Sequence, residues 1–251
     1  MVSAFIIIFW ATMMGLLLKR ELPSRVGVRS GYRTIPRELL NDRYTRMGIY
    51  LNQSKVGYAE TTIKREADGG YRIVNTISIQ HGLLRTGKIT LTIFLTPERS
   101  LDSFRLSLPT LNAALHGRVE GKKMRLTTVV GRMQSQRTIP FDEEMIISNF
   151  LSPLLTTPRL RVGKAWTMGL WNPITLEMQP VTVDVRGRQK ISWNDKIVDA
   201  YIVFVTHRQF RLKAWVAPDG TVIQQQVPFG LMMKLEESRH DRNREPDEKV
   251  R

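Results

Sequence analysis

FRLKAWVAPDGTVIQQQV, residues 210–227, carries the reading on which the fold turns. Phe210, Leu212, Ala214 and Val216 alternate with Arg211 and Lys213, so an extended chain here has one apolar side and one charged side. A strand sends successive side chains to opposite faces, and this period of two is its signature. Asp219-Gly220 then separates the run from a second one, Thr221 to Val227. Glycine supplies the positive φ of a tight turn, and the Asp side chain bonds its own backbone two residues on. The stretch is a hairpin, and turn chemistry accounts for Asp219 without any catalytic role.

The same period recurs upstream. Met47, Ile49 and Leu51 alternate with Gly48 and Tyr50, and Asn52 to Gly57 turn the chain into a return strand from Tyr58 to Arg65. Tyr71, Ile73, Ile77 and Ile79 share a side, as do Ile89, Leu91, Ile93 and Leu95, and then Phe104, Leu106 and Leu108. Shorter strands follow around Gly117, Gly121 and Gly131, and longer ones over 181–191 and 200–206. Such alternation marks half-buried antiparallel strands. One segment breaks the period. Asp142 is a plausible N-cap, Glu143 and Glu144 suit a helix dipole, and Ile146, Ile147, Phe150, Leu151 and Leu154 form a helical stripe that Pro153 would end or kink. The expected fold is therefore mainly β: a strongly curved antiparallel sheet or open barrel with one accessory helix over 142–155.

VSAFIIIFWATMMGLLL, residues 2–18, contains no charge. As a helix it would be about 26 Å long, close to the thickness of a bilayer's hydrocarbon core. No Lys or Arg precedes it and Leu16, Leu17 and Leu18 occupy its exit, so it fits an uncleaved transmembrane anchor better than a cleaved signal peptide. Lys19 and Arg20, by themselves, favour a cytoplasmic flank after the run, and a basic segment ahead of it would reverse that preference. Residues 1–18 are thus expected to anchor the chain and 19–46 to form a linker. Residues 47–238 should form the β domain, and 239–251 a disordered charged tail.

Composition narrows the chemistry. The 251 residues are 42% hydrophobic, enough to fill a core, and carry a net charge of +15. From Glu236 onward five Lys/Arg face six Asp/Glu, so the positive excess sits in the body. A basic body favours anionic partners. There is no Cys, which removes disulfides, thiolate nucleophiles and cysteine metal sites. His81, His116, His207 and His240 show no metal-binding spacing. Ser148, His207 and Asp184 or Asp195 could be written down as a triad, but no G-x-S-x-G elbow supports it. No enzyme activity and no cofactor is expected.

Three stretches together carry a resemblance: GIYLNQSKVGYAETTIKREADGGYRI (48–73), LWNPITLEMQPVTVDVRGRQKI (170–191) and KAWVAPDGTVIQQQVPFGLMMKLEES (213–238). They resemble the β-rich extracytoplasmic N-terminal region found ahead of transglutaminase-like domains in membrane-anchored bacterial proteins. The resemblance implies a β module facing the envelope, held by one helix. The transglutaminase domain itself, which needs a Cys nucleophile, has no counterpart here, and no catalytic residue carries over.

Two candidate sites follow. Phe150, Leu151, Leu154, Leu155, Trp171, Leu176, Phe229 and Leu231 would line an apolar cavity if the helix lidded an incomplete barrel, as in lipid carriers. Arg186, Arg188, Lys190, Arg211 and Lys213 would form a basic surface, next to Trp193. Trp166, Trp171, Trp193 and Trp215 fit core packing or shielding of a sheet face better than base stacking. The expected function is a non-enzymatic binding or scaffold module in the periplasm, meeting the membrane through residues 2–18 and an envelope protein or anionic lipid through its basic surface. The alternatives are an acyl-chain carrier and, less in keeping with the leader, a nucleic-acid-binding β protein. Removing residues 2–18 should shift the chain from the membrane to the soluble fraction. Identical fractionation with and without them would remove the anchor from consideration.

Overall fold

A computed structural model describes residues 40–79, 87–141, 146–147, 160–172, 177–207, 211–227 and 230–240. The apolar leader lies outside these residues. Among the described residues fifteen strands form one sheet. β1 (Arg43–Leu51), β2 (Ser54–Arg65), β3 (Tyr71–Ile79), β4 (Gly87–Leu95), β5 (Leu101–Leu108), β6 (Ala113–Glu120), β7 (Lys123–Val130) and β8 (Met133–Pro140) run as one meander. β9 (Ile146–Ile147), β10 (Ala165–Asn172), β11 (Glu177–Trp193), β12 (Lys196–Thr206), β13 (Arg211–Val216), β14 (Val222–Gln226) and β15 (Leu231–His240) form a second. The two meanders join where β15 pairs antiparallel with β1, so the sheet edges are β8 and β9. Every pairing is antiparallel except that of two-residue β9 with β10.

The expected alternation is present. Met47, Ile49, Val183, Val203, Ala214 and Met233 are buried in a first core, and Ile63, Ile73, Leu91, Phe104, Met124 and Trp171 in a second. β2 contributes to both, giving Ala59 to the first and Ile63 to the second, so the inward face is continuous. Turn chemistry at one end of the sheet is repeated. Asp219 Oδ1 accepts the Thr221 N–H at 2.9 Å, and Asp68 Oδ1 accepts the Gly70 N–H at 2.9 Å. The β4–β5 turn closes in the same pattern, with Thr96 N–H to Ser100 O at 2.8 Å.

The sheet is not flat. β5 and β10 stand ten strands apart in the order, which at ~4.8 Å per strand would separate them by ~48 Å on a plane. Yet the rings of Phe104 on β5 and Trp171 on β10 meet edge to face, with centroids 5.1 Å apart and planes at 64°. The sheet therefore curls until its second-to-last strand lies over its opposite half. Gly117 makes this possible. It pairs with Phe104 across β5–β6, and a Cβ there would lie 2.0 Å from the Phe104 ring.

The β1–β15 seam has its own polar lock. The register slips between Arg46 and Met47, leaving Glu236 as the extra residue of a β-bulge. Its carboxylate accepts Tyr50 Oη at 2.9 Å and Lys55 Nζ at 2.5 Å, with Arg46 at 3.7 Å. Position 48 must be glycine for this, since a Cβ would stand 2.3 Å from Glu236 Oε1. Next to it, Trp193 Nε1 at the β11–β12 tip donates to the Leu235 carbonyl at 3.0 Å, tying that hairpin back onto β15.

Three expectations change. β1 begins at Arg43, inside the stretch assigned to the linker, and Leu40 is already buried in the second core. β15 continues to His240, past the expected end of the domain at 238. The helix expected over 142–155 lies mostly outside the described residues, and its two described positions, Ile146 and Ile147, are extended as β9. Helical spacing of apolar residues is a local signal, and pairing with β10 overrides it there.

Phe104→Ala and Trp171→Ala should each cost about 3–5 kcal/mol in urea unfolding. Their double-mutant cycle should show a coupling of about 0.5–1.5 kcal/mol, and additive losses would mean the rings do not hold the curl. At Glu236, burial pushes the carboxyl up, but hydrogen bonds from Lys55 and Tyr50 and the charges of Lys55 and Arg46 outweigh it. They hold it below its ordinary value of 4.5. A depressed carboxyl stabilises the fold above its unfolded value, and that stabilisation is lost as pH falls through the folded one. Glu236→Gln should thus cost about 1 kcal/mol at neutral pH, and the gap to wild type should close below pH 4.5. A gap independent of pH would remove the charge from this account.

Candidate functional site

Charge and ring stacking meet on the outward face of β11–β13. Asp184 lies opposite Phe204, and Phe204 lies opposite Lys213. Two guanidiniums stand over the Phe204 ring, Arg211 at 4.1 Å and Arg186 at 4.9 Å from its centroid. Lys213 Nζ stands 4.3 Å from the centroid of Trp215, its neighbour two positions along the strand. Arg186 also pairs with Asp184 at 2.7 Å. Trp215 is buried and donates its Nε1 proton to Gln189 Oε1 at 2.9 Å, which fixes the plane under Lys213.

Arg186 reaches this face because of a bulge. The β11–β12 register passes from Val185 opposite Val203 to Gly187 opposite Ile202, so Arg186 is the unpaired extra residue. One extra residue inverts the alternation beyond it. Arg188 and Lys190 accordingly fall opposite Tyr201 and Asp199, on the face that carries the first core through Tyr201. Arg188 stacks on the Tyr201 ring at 4.4 Å, donates to its hydroxyl and pairs with Asp199 at 3.0 Å. The Tyr201 and Asp199 hydrogen bonds raise its pKa above the ordinary value. Lys190 is exposed. The expected basic surface is therefore two surfaces: Arg186, Arg211 and Lys213 outside, Arg188 and Lys190 on the other face of the sheet.

Of the eight residues expected to line an apolar cavity, two are described. Trp171 is packed into the second core and Leu231 lies against the first. Phe150, Leu151, Leu154, Leu155, Leu176 and Phe229 lie outside the described residues. Of the residues written as a triad, Asp184 is engaged by Arg186, Asp195 sits in the β11–β12 turn, and Ser148 lies outside the described residues. The tryptophans pack as expected: Trp171 and Trp215 are buried, and Trp166 and Trp193 lean against the first core.

One polar cluster escaped the sequence. Tyr44 Oη donates to Glu60 Oε1 at 2.8 Å, Arg46 sits 3.4 Å from the same oxygen, and its guanidinium lies 4.6 Å from the Tyr58 ring centroid. Tyr44, Arg46 and Tyr50 alternate in β1 as the outward counterpart of Met47 and Ile49, which is the signal that extends the strand to Arg43.

No protein-family model matches the chain, and no curated relative matches it. Among solved structures the chain is similar to a β-barrel-like protein of domain of unknown function DUF1849 from Brucella abortus. The identity is 11% and the TM-score 0.51, over 80% of this chain and 98% of that one. It also aligns with the hypothetical lipoprotein YmcC from Escherichia coli K12, at 13% identity and TM-score 0.31, over 78% of this chain and 87% of that one. A DUF1329 family protein from Desulfovibrio piger aligns at 10% identity and TM-score 0.22, over 81% and 87%. The last two superpose too loosely to bear on the fold, while the first has the same β-barrel-like architecture.

Proposed function

We propose that the chain is a non-enzymatic envelope module, tethered by residues 2–18, whose outward β11–β13 face binds an anionic lipid surface. The observation that carries it is the set of three cations, Arg186, Arg211 and Lys213, held over Phe204 and Trp215 with one carboxylate, Asp184, among them. Cations packed this closely repel one another. An anionic surface relieves that repulsion, and aromatic rings beside cationic heads suit the headgroup layer. The resemblance to extracytoplasmic modules ahead of transglutaminase-like domains supports the same location, as does the charge-free leader.

The test uses the chain without residues 2–18, sedimented with vesicles of phosphatidylcholine alone or mixed with phosphatidylglycerol. Binding should require the anionic lipid and weaken with salt. At about 1 kcal/mol per cation, replacing Arg186, Arg211 and Lys213 together by Gln should weaken it about a hundredfold. Equal binding to neutral vesicles, or unchanged binding by the triple variant, would refute the assignment. A preference for oligonucleotide over anionic vesicles would move the chain to the nucleic-acid-binding class.

A further inference from the structure

A cleft of about 640 Å³ opens where the start of β1 meets the ends of β2 and β15. Its lining includes Arg43, Lys64 and Arg239, against a single carboxylate, Asp42. That carboxylate is committed elsewhere, since Asp42 Oδ1 accepts the Arg65 backbone N–H at 2.8 Å. Arg239 is paired with Glu237. Arg43 differs. Among the described residues no carboxylate reaches it at ion-pair distance, and Asp219 acts on it only through space. Burial pushes its guanidinium below the ordinary value, an effect that Asp219 offsets only in part.

A second group in the lining also lacks a partner. Ser238 Oγ is buried and makes no hydrogen bond among the described residues. The register relates the two: Arg43 pairs with His240 and Thr45 with Ser238, so Arg43 and Ser238 are diagonal neighbours on one face. Sheet geometry puts such Cβ atoms about 7 Å apart, close enough for one small anion to touch both side chains. A buried hydroxyl without a partner costs stability unless something accepts its proton.

We propose that this cleft binds a phosphate group borne by a larger molecule, with Arg43 and Ser238 as direct donors. A planar carboxylate is satisfied by the guanidinium fork alone, whereas a tetrahedral oxyanion keeps a further oxygen for a hydroxyl. The volume matches small-molecule sites and exceeds what a bare anion fills. The site is separate from the β11–β13 face and does not depend on its function.

The test titrates inorganic phosphate into the full chain in nonionic detergent, against chloride at matched ionic strength. Phosphate should bind and raise the melting temperature. Arg43→Gln should weaken binding about tenfold or more, and Ser238→Ala about threefold. Without phosphate, Ser238→Ala should melt at or above wild type, because an unsatisfied hydroxyl has been removed. That variant decides the matter if Arg43→Gln fails to fold. The Arg186, Arg211 and Lys213 triple variant should bind phosphate like wild type, so this site and the outer face fail separately. Short-chain phosphatidylglycerol in the same micelles identifies the source. Displacement of phosphate assigns a lipid headgroup, and persistence of phosphate assigns a soluble phosphorylated ligand. No binding beyond chloride, or affinities unchanged in both single variants, would overturn the proposal.

Discussion

The curl of the sheet is the constraint from which the rest follows. A fifteen-stranded ribbon has two inward-facing apolar halves, and neither half can bury itself while flat. Bending brings Trp171 from one end of the strand order onto Phe104 near the other. The ring contact works only because Gly117, beside Phe104, leaves room for a ring where a side chain would otherwise stand. A cross-strand glycine–aromatic pair thus sets the position of the far strand. Phe104 and Trp171 are both almost wholly buried, and aromatic side chains of this size dominate the burial energy of a core.

Closing the chain at β1–β15 has a different character. Nearly the full length of the folded chain separates these strands, so their pairing carries a large loop-closure cost and contributes only when both meanders are in place. Polar groups reinforce the seam. Glu236 bulges out of β15 and takes two hydrogen bonds, from β1 and from the start of β2, and Trp193 reaches across from the β11–β12 tip. Bulges lock register because a slip of one residue would expose the whole inward set. The seam lies at the centre of the strand order, away from both edges, which leaves β8 as an exposed edge.

Most strands were legible because alternation and Asp-Gly turns are local. Strand Arg211–Val216, the turn at Asp219 and the runs through Ile73, Leu91 and Phe104 all needed only neighbouring residues. Three features did not. The bulge at Arg186 leaves no mark in the sequence, since Arg186, Arg188 and Lys190 alternate as they would in an unbroken strand. Only pairing with β12 separates them. The first residues of β1 read as linker because their outward members, Tyr44 and Arg46, are polar, while the inward Thr45 is not apolar. Ile146 and Ile147 fit a helical stripe as well as a strand, and β10 decides between the two. The Arg43–Ser238 diagonal is a product of register across chain ends and has no local signature.

Part of the positive charge of the body is held over aromatic rings. Among the described residues seven cations stand over aromatic rings: Arg46 in β1, Lys164 just ahead of β10, Arg186 and Arg188 in β11, Arg211 and Lys213 in β13, and Lys234 in β15. A carboxylate that holds a cation also cancels it, while an aromatic ring holds the cation and leaves its charge intact. Stacking on Phe204 and Trp215 therefore lets Arg211 and Lys213 sit in fixed places and still present a net positive field outward. These two cations are fixed in position by the same strands that bury the first core on their other side, while Trp215, beneath Lys213, joins Ala200, Ala217 and Ile223 in a smaller buried cluster on the near side.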